Sequence, residues 1–202
     1  MIEFVIVFGI WALAHSLTAS RRVKGWVRGL VGDAVYDGWY RLIYNVVALV
    51  TFVPVLWVLA TAVPTRTLWT LPAPFSWLGL ILQLVGLVGL TIALFQTDIT
   101  SCIGVRQALD YLQGENGDAE RPSALVTSGP YALVRHPLYF FSLLILWFNP
   151  LMTLSGFILN VLATVYFGVG SKYEERRLED EFGEAYTTYK QEVPYLLPWP
   201  RP

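Results

Sequence analysis

Two short stretches carry most of the side chains able to do chemistry. The first reads Leu125-Val126-Thr127-Ser128-Gly129-Pro130-Tyr131-Ala132-Leu133-Val134-Arg135-His136-Pro137-Leu138-Tyr139. Gly129-Pro130 is a turn signal, and Pro137 suits the first position of a helix, where an N–H would have no partner anyway. His136 then falls at or just before the helix cap, held extended by the proline after it. A helix N-terminus presents free N–H groups and partial positive charge, a seat for a carboxylate or phosphate. Arg135, His136 and Tyr139 would surround that seat with donors. The second stretch begins Ser171-Lys172-Tyr173-Glu174-Glu175-Arg176-Arg177-Leu178. Leu178, Phe182, Ala185 and Tyr189 recur at helical spacing, which predicts an amphipathic helix over 171–190 on the membrane surface. Glu174 is either part of a solvated face, paired with Arg177 one turn on, or a group turned to the site. Glu175 points about 100° away from it on a helix and is expected to be the dispensable one of the two.

Both stretches must be positioned by a chain that is mostly apolar. Of 202 residues 55% are hydrophobic, 15% aromatic and 14% charged, and the mean hydropathy is +0.51, whereas soluble domains carry roughly 25% charged residues. Disorder is excluded, because it needs low hydrophobicity and high net charge. With 14 Lys+Arg against 15 Asp+Glu there is no basic excess for nucleic acid. The single cysteine, Cys102, excludes a disulfide framework and a multi-cysteine metal site, and no metal is expected.

The fold class is an all-α integral membrane protein, one domain over residues 1–202. Its spans fall at about 2–19, 43–63, 77–97, 137–149 and 151–170, followed by the helix over 171–190. Asn149-Pro150 splits the long final apolar stretch, since proline ends or kinks a helix at the residue before it. The first span is no cleavable signal, because Arg21, Arg22 and Lys24 follow it rather than precede it. Of the 14 Lys+Arg, all but Arg66 fall in the loops after spans one, three and five. By the positive-inside rule the N-terminus is outside and the C-terminus, with its amphipathic helix, cytoplasmic. Span four, Pro137 to Asn149, reaches only about 20 Å against a hydrocarbon core of about 30 Å. Either it starts recessed, opening a polar pocket sideways to lipid, or it continues past Asn149 as a kinked helix. In span three, Gly79, Gln83, Gly86 and Ala93 share one side and predict close helix packing, with Gln83 hydrogen-bonding across. His15 near the end of span one is a functional candidate or an interfacial residue bonded to backbone; Cys102 is assigned no role.

The order and spacing of Ser128-Gly129-Pro130-Tyr131, Arg135-His136-Pro137-Leu138-Tyr139, Glu174-Glu175-Arg176, Phe182-Gly183-Glu184-x-Tyr186-x-x-Tyr189 and Val193-Pro194 resemble the isoprenylcysteine carboxyl methyltransferases. This wider group of small integral-membrane methyltransferases includes phospholipid-methylating enzymes, and the chain is also similar to membrane thiol S-methyltransferases and NnrU-like proteins. The resemblance covers roughly residues 120 to 198. It implies a multi-pass protein of a bacterial inner membrane that binds S-adenosyl-L-methionine. The matching cofactor positions are Ser123, Ala124, Leu125, Val126, Tyr131, His136, Pro137, Leu138, Tyr139 and Glu174. Arg135, His136 and Tyr139 are the expected catalytic residues. No G-x-G-x-x-G follows a strand-like segment, so the soluble dinucleotide-fold route to this cofactor is absent.

The resemblance breaks at one position. The eukaryotic enzymes carry an arginine four residues before the matching glutamate that helps hold the acceptor carboxylate, and here that position is Gly170. Gly104-Val105-Arg106-Gln107 instead looks like a segment of bacterial thiol methyltransferases. The expected activity is methyl transfer to a lipophilic or small acceptor, carboxylate or thiol, at the cytoplasmic leaflet. A carboxylate or thiolate is already nucleophilic, so the protein need only align it and exclude water; a thiol would also need deprotonation, with His136 or Tyr131 the nearest base. The alternative is a non-catalytic membrane subunit or assembly factor that keeps the fold.

Overall fold

The computed structural model describes residues 1–114 and 124–199. Its elements in chain order are α1 (Ile2–Ala19), α2 (Arg21–Val31), α3 (Asp33–Ala62), β1 (Thr67–Thr70), α4 (Phe75–Gln96), α5 (Ile99–Ile103), α6 (Val105–Leu112), α7 (Pro130–Leu133), α8 (Pro137–Trp147), β2 (Leu151–Thr153), α9 (Leu154–Phe182) and α10 (Glu184–Glu192). Four helices, α1, α3, α4 and α9, are long and apolar enough to cross a membrane, and α8 is a shorter apolar helix of 11 residues. Large apolar side chains stand outward along them, with Leu49 and Phe95 each 71% exposed and Trp57 70%. Lipid solvates such a surface and water does not; the chain is a membrane protein.

The described residues form two units. The first comprises Met1–Pro64 and the described part of Asp98–Ser123. Here α1 lies along α3: Tyr44 Oη is 2.7 Å from His15 Nε2, Trp11 Nε1 donates to the Ala48 carbonyl at 3.3 Å, and Tyr40 Oη donates to the Thr18 carbonyl at 2.5 Å. His15 is thus an interhelical bonding residue, stacked between Trp11 and Tyr44. The α5–α6 turn closes on α3 at Gly104, whose φ of +90° and near contact with the Leu42 amide leave no room for a Cβ. In the segment singled out above, Arg106 is tied to Asp98, and Gln107 Nε2 donates to the Ser101 carbonyl at 3.1 Å. Cys102 is exposed, and its carbonyl accepts from Asn45 Nδ2 at 3.2 Å.

The second unit comprises Thr65–Thr97 and the described part of Ala124–Pro202, and it holds α8. Span three packs as its small-residue face predicts: Gly79, Gly86 and Ala93 are buried, with Gly89 beside them. A Cβ on Gly79 would lie 2.7 Å from the Phe148 carbonyl oxygen, and one on Gly86 2.9 Å from the Phe141 carbonyl oxygen. The short helix α8 ends among apolar helices, where its last carbonyls must find donors. Gln83 Nε2 donates to Ile145 at 2.8 Å and Asn160 Nδ2 to Leu146 at 2.8 Å. Gly79→Ala should therefore force backbone apart and lower stability by about 1–3 kcal/mol, the usual range for overpacking; a thermal melt of the detergent-purified variant measures it.

Three expectations are corrected. The all-α reading omits a two-stranded antiparallel sheet, in which β1 pairs with β2, Trp69 opposite Met152. Past Trp147 the chain does not continue as a kinked helix; it turns, the Leu151 amide donating to Asn149 Oδ1 at 3.1 Å, and enters β2. Nor does a separate helix begin at Ser171. Helix α9 runs unbroken to Phe182, because no glycine or proline interrupts residues 171–182, and it stops at Gly183, whose φ of +54° only glycine adopts readily. The stripe Leu178–Phe182–Tyr189 is consequently not a lipid-facing face. Leu178 and Phe182 pack against Tyr186, Tyr189 and Val193 in a small core. Helix α3 begins at Asp33, ahead of the apolar span expected from about residue 43, since hydropathy marks only the apolar part of a helix.

A buried ionic cluster as candidate active site

Gly129 (φ +57°) turns the chain into α7, and Val134 leaves α7 extended before the chain bends at Arg135 toward α8. His136 is the N-cap of α8, with φ −121° and ψ 64°, and Pro137 is its first helical residue, as the spacing predicts. Arg135 joins three parts of the unit. Its Nε donates to Glu175 Oε1 at 2.7 Å, and its Nη1 donates to the carbonyls of Lys190 at 2.8 Å and Val193 at 2.9 Å. Its amide donates to the Pro194 carbonyl at 2.8 Å, and its guanidinium lies 5.5 Å from the centre of the Tyr195 ring.

Glu175, expected on the solvated side, is instead the buried partner: its side chain is 11% exposed against 37% for Glu174. The reason is the cation opposite it, because a buried guanidinium requires a paired carboxylate. Lys190 Nζ stands 3.6 Å from Glu175 Oε2 and 2.6 Å from Glu179 Oε1; that hydrogen bond from Lys190 to Glu179 holds the ammonium pKa above its ordinary value. Burial pushes the Tyr186 phenol well up, and the Tyr189 phenol up to about 12. Both therefore act as donors, Tyr189 to the Tyr131 carbonyl at 2.6 Å and Tyr186 over a long 3.5 Å to Glu175 Oε1.

The imidazole of His136 is buried between the two carboxylates. Nδ1 is 3.6 Å from Glu174 Oε2, and Nε2 is 3.5 Å from Glu175 Oε1. These are ion-pair distances, and among the described residues Nε2 has no hydrogen-bond partner. The ring stacks on Tyr139 at 5.6 Å and meets Tyr195 edge-on at 5.2 Å. Tyr139 stacks in turn on Phe167 at 4.9 Å, and its Oη donates to Glu174 Oε2 at 3.0 Å. A Cβ on Gly170 would sit 3.9 Å from that Oη, so position 170 faces the cluster and is open there.

Of the residues expected in the site, Arg135, His136, Tyr139 and Glu174 come together, with Pro137 buried beside them. Tyr131 joins through its carbonyl. Leu125 packs on the Tyr186–Tyr189 core instead. Ala124 is exposed, Val126 and Leu138 are half-buried, and none of the three brings a polar side chain to the cluster. Ser123 lies outside the described residues. Sequence reasoning missed Glu175, Tyr195 and Ser171. Tyr195 Oη and Ser171 Oγ form a short hydrogen bond beside the His136 ring. The one available signal was Arg135 itself, a cation amid apolar sequence that needed an anion.

The chain is 31% identical over 201 residues to the methanethiol S-methyltransferase of Pseudomonas deceptionensis, a match covering 96% of this chain and 71% of that protein. It is 30% identical over 200 residues to methanethiol S-methyltransferase 1 of Bradyrhizobium diazoefficiens, covering 98% of this chain and 66% of that one. A protein-S-isoprenylcysteine O-methyltransferase of Xenopus laevis is 30% identical over 123 residues, 55% of this chain and 40% of its own length. The chain thus spans about two thirds of the length of its bacterial relatives. No solved structure matches it. Residues 3–170 match the NnrU protein family, and the chain belongs to that family.

Proposed function

We propose that this chain is an integral-membrane methyltransferase that uses S-adenosyl-L-methionine and methylates a thiol or another lipophilic or small acceptor at the cytoplasmic leaflet. The observation that carries the reading is His136 Nε2, a buried ring nitrogen with no hydrogen-bond partner among the described residues, set at a helix N-cap between two carboxylates. The residues present fit the cofactor. Leu138 and Tyr139 lie in the first turn of α8, whose N–H groups the helix cannot itself satisfy and which suit a carboxylate. Glu174 spends Oε2 on Tyr139 and, among the described residues, leaves Oε1 without a hydrogen bond, suited to an ammonium or ribose hydroxyl. When bound, S-adenosyl-L-methionine supplies an electrophilic methyl group on its sulfonium.

The rest is work for this chain's own side chains. His136 Nε2 takes the proton of a thiol acceptor, and the imidazolium so formed faces Glu175 Oε1 on one side and Glu174 Oε2 on the other. Tyr139 fixes the Glu174 carboxylate and covers one face of the His136 ring, while Tyr195 closes its edge. Arg135 is a positioning residue, because its Nε, Nη1 and amide donate to Glu175 and to the 190–194 backbone. Gly170 offers no cation to an acceptor carboxylate, which favours the thiol. Titration calorimetry of the detergent-purified chain with S-adenosyl-L-methionine should show saturable binding. Labelled-methyl transfer should then select among alkyl thiols, prenylcysteines and phosphatidylethanolamine. Absence of binding would leave a non-catalytic membrane subunit.

The proposed placement is a single five-pass domain over residues 1–202 in a bacterial inner membrane, with α8 as its short fourth pass, the N-terminus outside and the C-terminus cytoplasmic. The grouping of basic residues supports it. Reporter fusions at Pro202 should be active only in the form that reports a cytoplasmic location; activity of the periplasmic form would refute the five-pass count.

A further inference from the structure

Helix α2 is unlike the apolar helices around it. It holds Arg21, Arg22, Lys24 and Arg28 with no acidic residue, together with Trp26 and Leu30, which are 67% and 65% exposed. Arg21, Lys24 and Arg28 recur at spacings that place them on one side of a helix, and Trp26 and Leu30, four apart, share another. Its position in the chain fixes its depth. Helix α1 has 18 residues, about 27 Å, close to the hydrocarbon thickness of about 30 Å. It ends at Ser20, a single extended residue (φ −68°, ψ 147°) whose Oγ caps α2 by accepting from the Val23 amide at 3.4 Å. On the far side of α2, helix α3 has 30 residues, about 45 Å, so that about 15 Å of it exceeds the hydrocarbon layer.

The excess lies at the N-terminal end of α3. Tyr40 reaches the Thr18 carbonyl and Tyr44 meets His15, so Tyr40 is level with the end of α1 and Asp33–Tyr36 extends past it. Both membrane helices therefore deliver the chain to α2 on the same side. The two acidic groups that α3 presents there, Asp33 and Asp37, are both bridged by Arg28, whose guanidinium also lies 4.6 Å from the centre of the Tyr36 ring. Arg28 thus fastens α2 to α3, and the basic first turn, Arg21-Arg22-x-Lys24, comes where the chain leaves the hydrocarbon.

We propose that α2 is a headgroup-layer helix that docks on anionic phospholipid, its basic first turn on the phosphates and Trp26 and Leu30 in the acyl boundary. Basic residues close to an anionic leaflet attract it by an electrostatic term that salt screens, whereas burial of Trp26 and Leu30 is insensitive to salt. The proposal does not depend on the catalytic reading.

The test uses the full-length chain in nanodiscs containing brominated phosphatidylglycerol or brominated phosphatidylcholine at equal mole fraction. The Trp26 signal is the difference between the native chain and Trp26→Phe. Quenching of that signal should be stronger with the brominated phosphatidylglycerol by about threefold or more at low salt, and the preference should shrink as salt rises. Arg21→Gln/Arg22→Gln/Lys24→Gln should abolish the preference while leaving quenching itself. Should that variant fail to fold, the salt series on the native chain decides alone. Equal quenching by the two lipids at low salt would overturn the charge preference, and no quenching by either would overturn the placement of α2 in the headgroup layer.

Discussion

Arg135→Met should be the most destabilising single change in the second unit. Glu175 would be left as a buried carboxylate without its guanidinium, and breaking one side of a buried ion pair costs about 3–5 kcal/mol. The carbonyls of Lys190 and Val193 lose their donor at the same time, so the tail and α10 should detach from α9. In detergent the melting temperature should fall on the order of 10 °C. Glu175→Gln should give a similar loss, since it strands the guanidinium instead. Combining Arg135→Met with Glu175→Leu should recover part of the loss, because an apolar pair needs no counter-charge, but not all of it, because the two carbonyls stay unpaired. A melt unchanged in Arg135→Met would mean that the pair contributes nothing and that α10 is held by its apolar core alone.

The second expected result separates chemistry from scaffold. His136→Ala should reduce methyl transfer by about 10²–10⁴-fold, the usual contribution of a positioned acid–base group, while the melting temperature stays near native. Glu174→Gln should weaken S-adenosyl-L-methionine binding by about 1.5–3 kcal/mol, roughly 10- to 150-fold, again with little loss of stability, since Glu174 is the more exposed of the two glutamates. Adjacent glutamates should thus fail in different ways, Glu174→Gln in affinity and Glu175→Gln in stability. Calorimetry and a thermal melt on both variants read the contrast directly. Wild-type affinity and turnover in His136→Ala would make Arg135-His136-Pro137 a structural turn only.

Apolar runs and their polar breaks were enough to mark four membrane helices, because burial in lipid demands long uninterrupted apolar segments. They also marked the α4 packing face, where only small residues allow the approach of α8, and the start of α8, because proline at a first helical position acts locally. The resemblance to the isoprenylcysteine carboxyl methyltransferases put His136, Tyr139 and Glu174 in one list, and the fold brings them into one place. What tertiary structure alone decided lies at long range. Hydropathy does not register β1 pairing with β2 across residues 67–153. A helical stripe looks the same whether its apolar side meets lipid or folds back at Gly183 onto Tyr186 and Tyr189. Two consecutive glutamates are indistinguishable in sequence, and which of them is buried depends on where Arg135 stands, 40 residues away along the chain. Desolvation of a charge depends on the neighbours that replace water, and these come from chain segments that the local sequence does not specify.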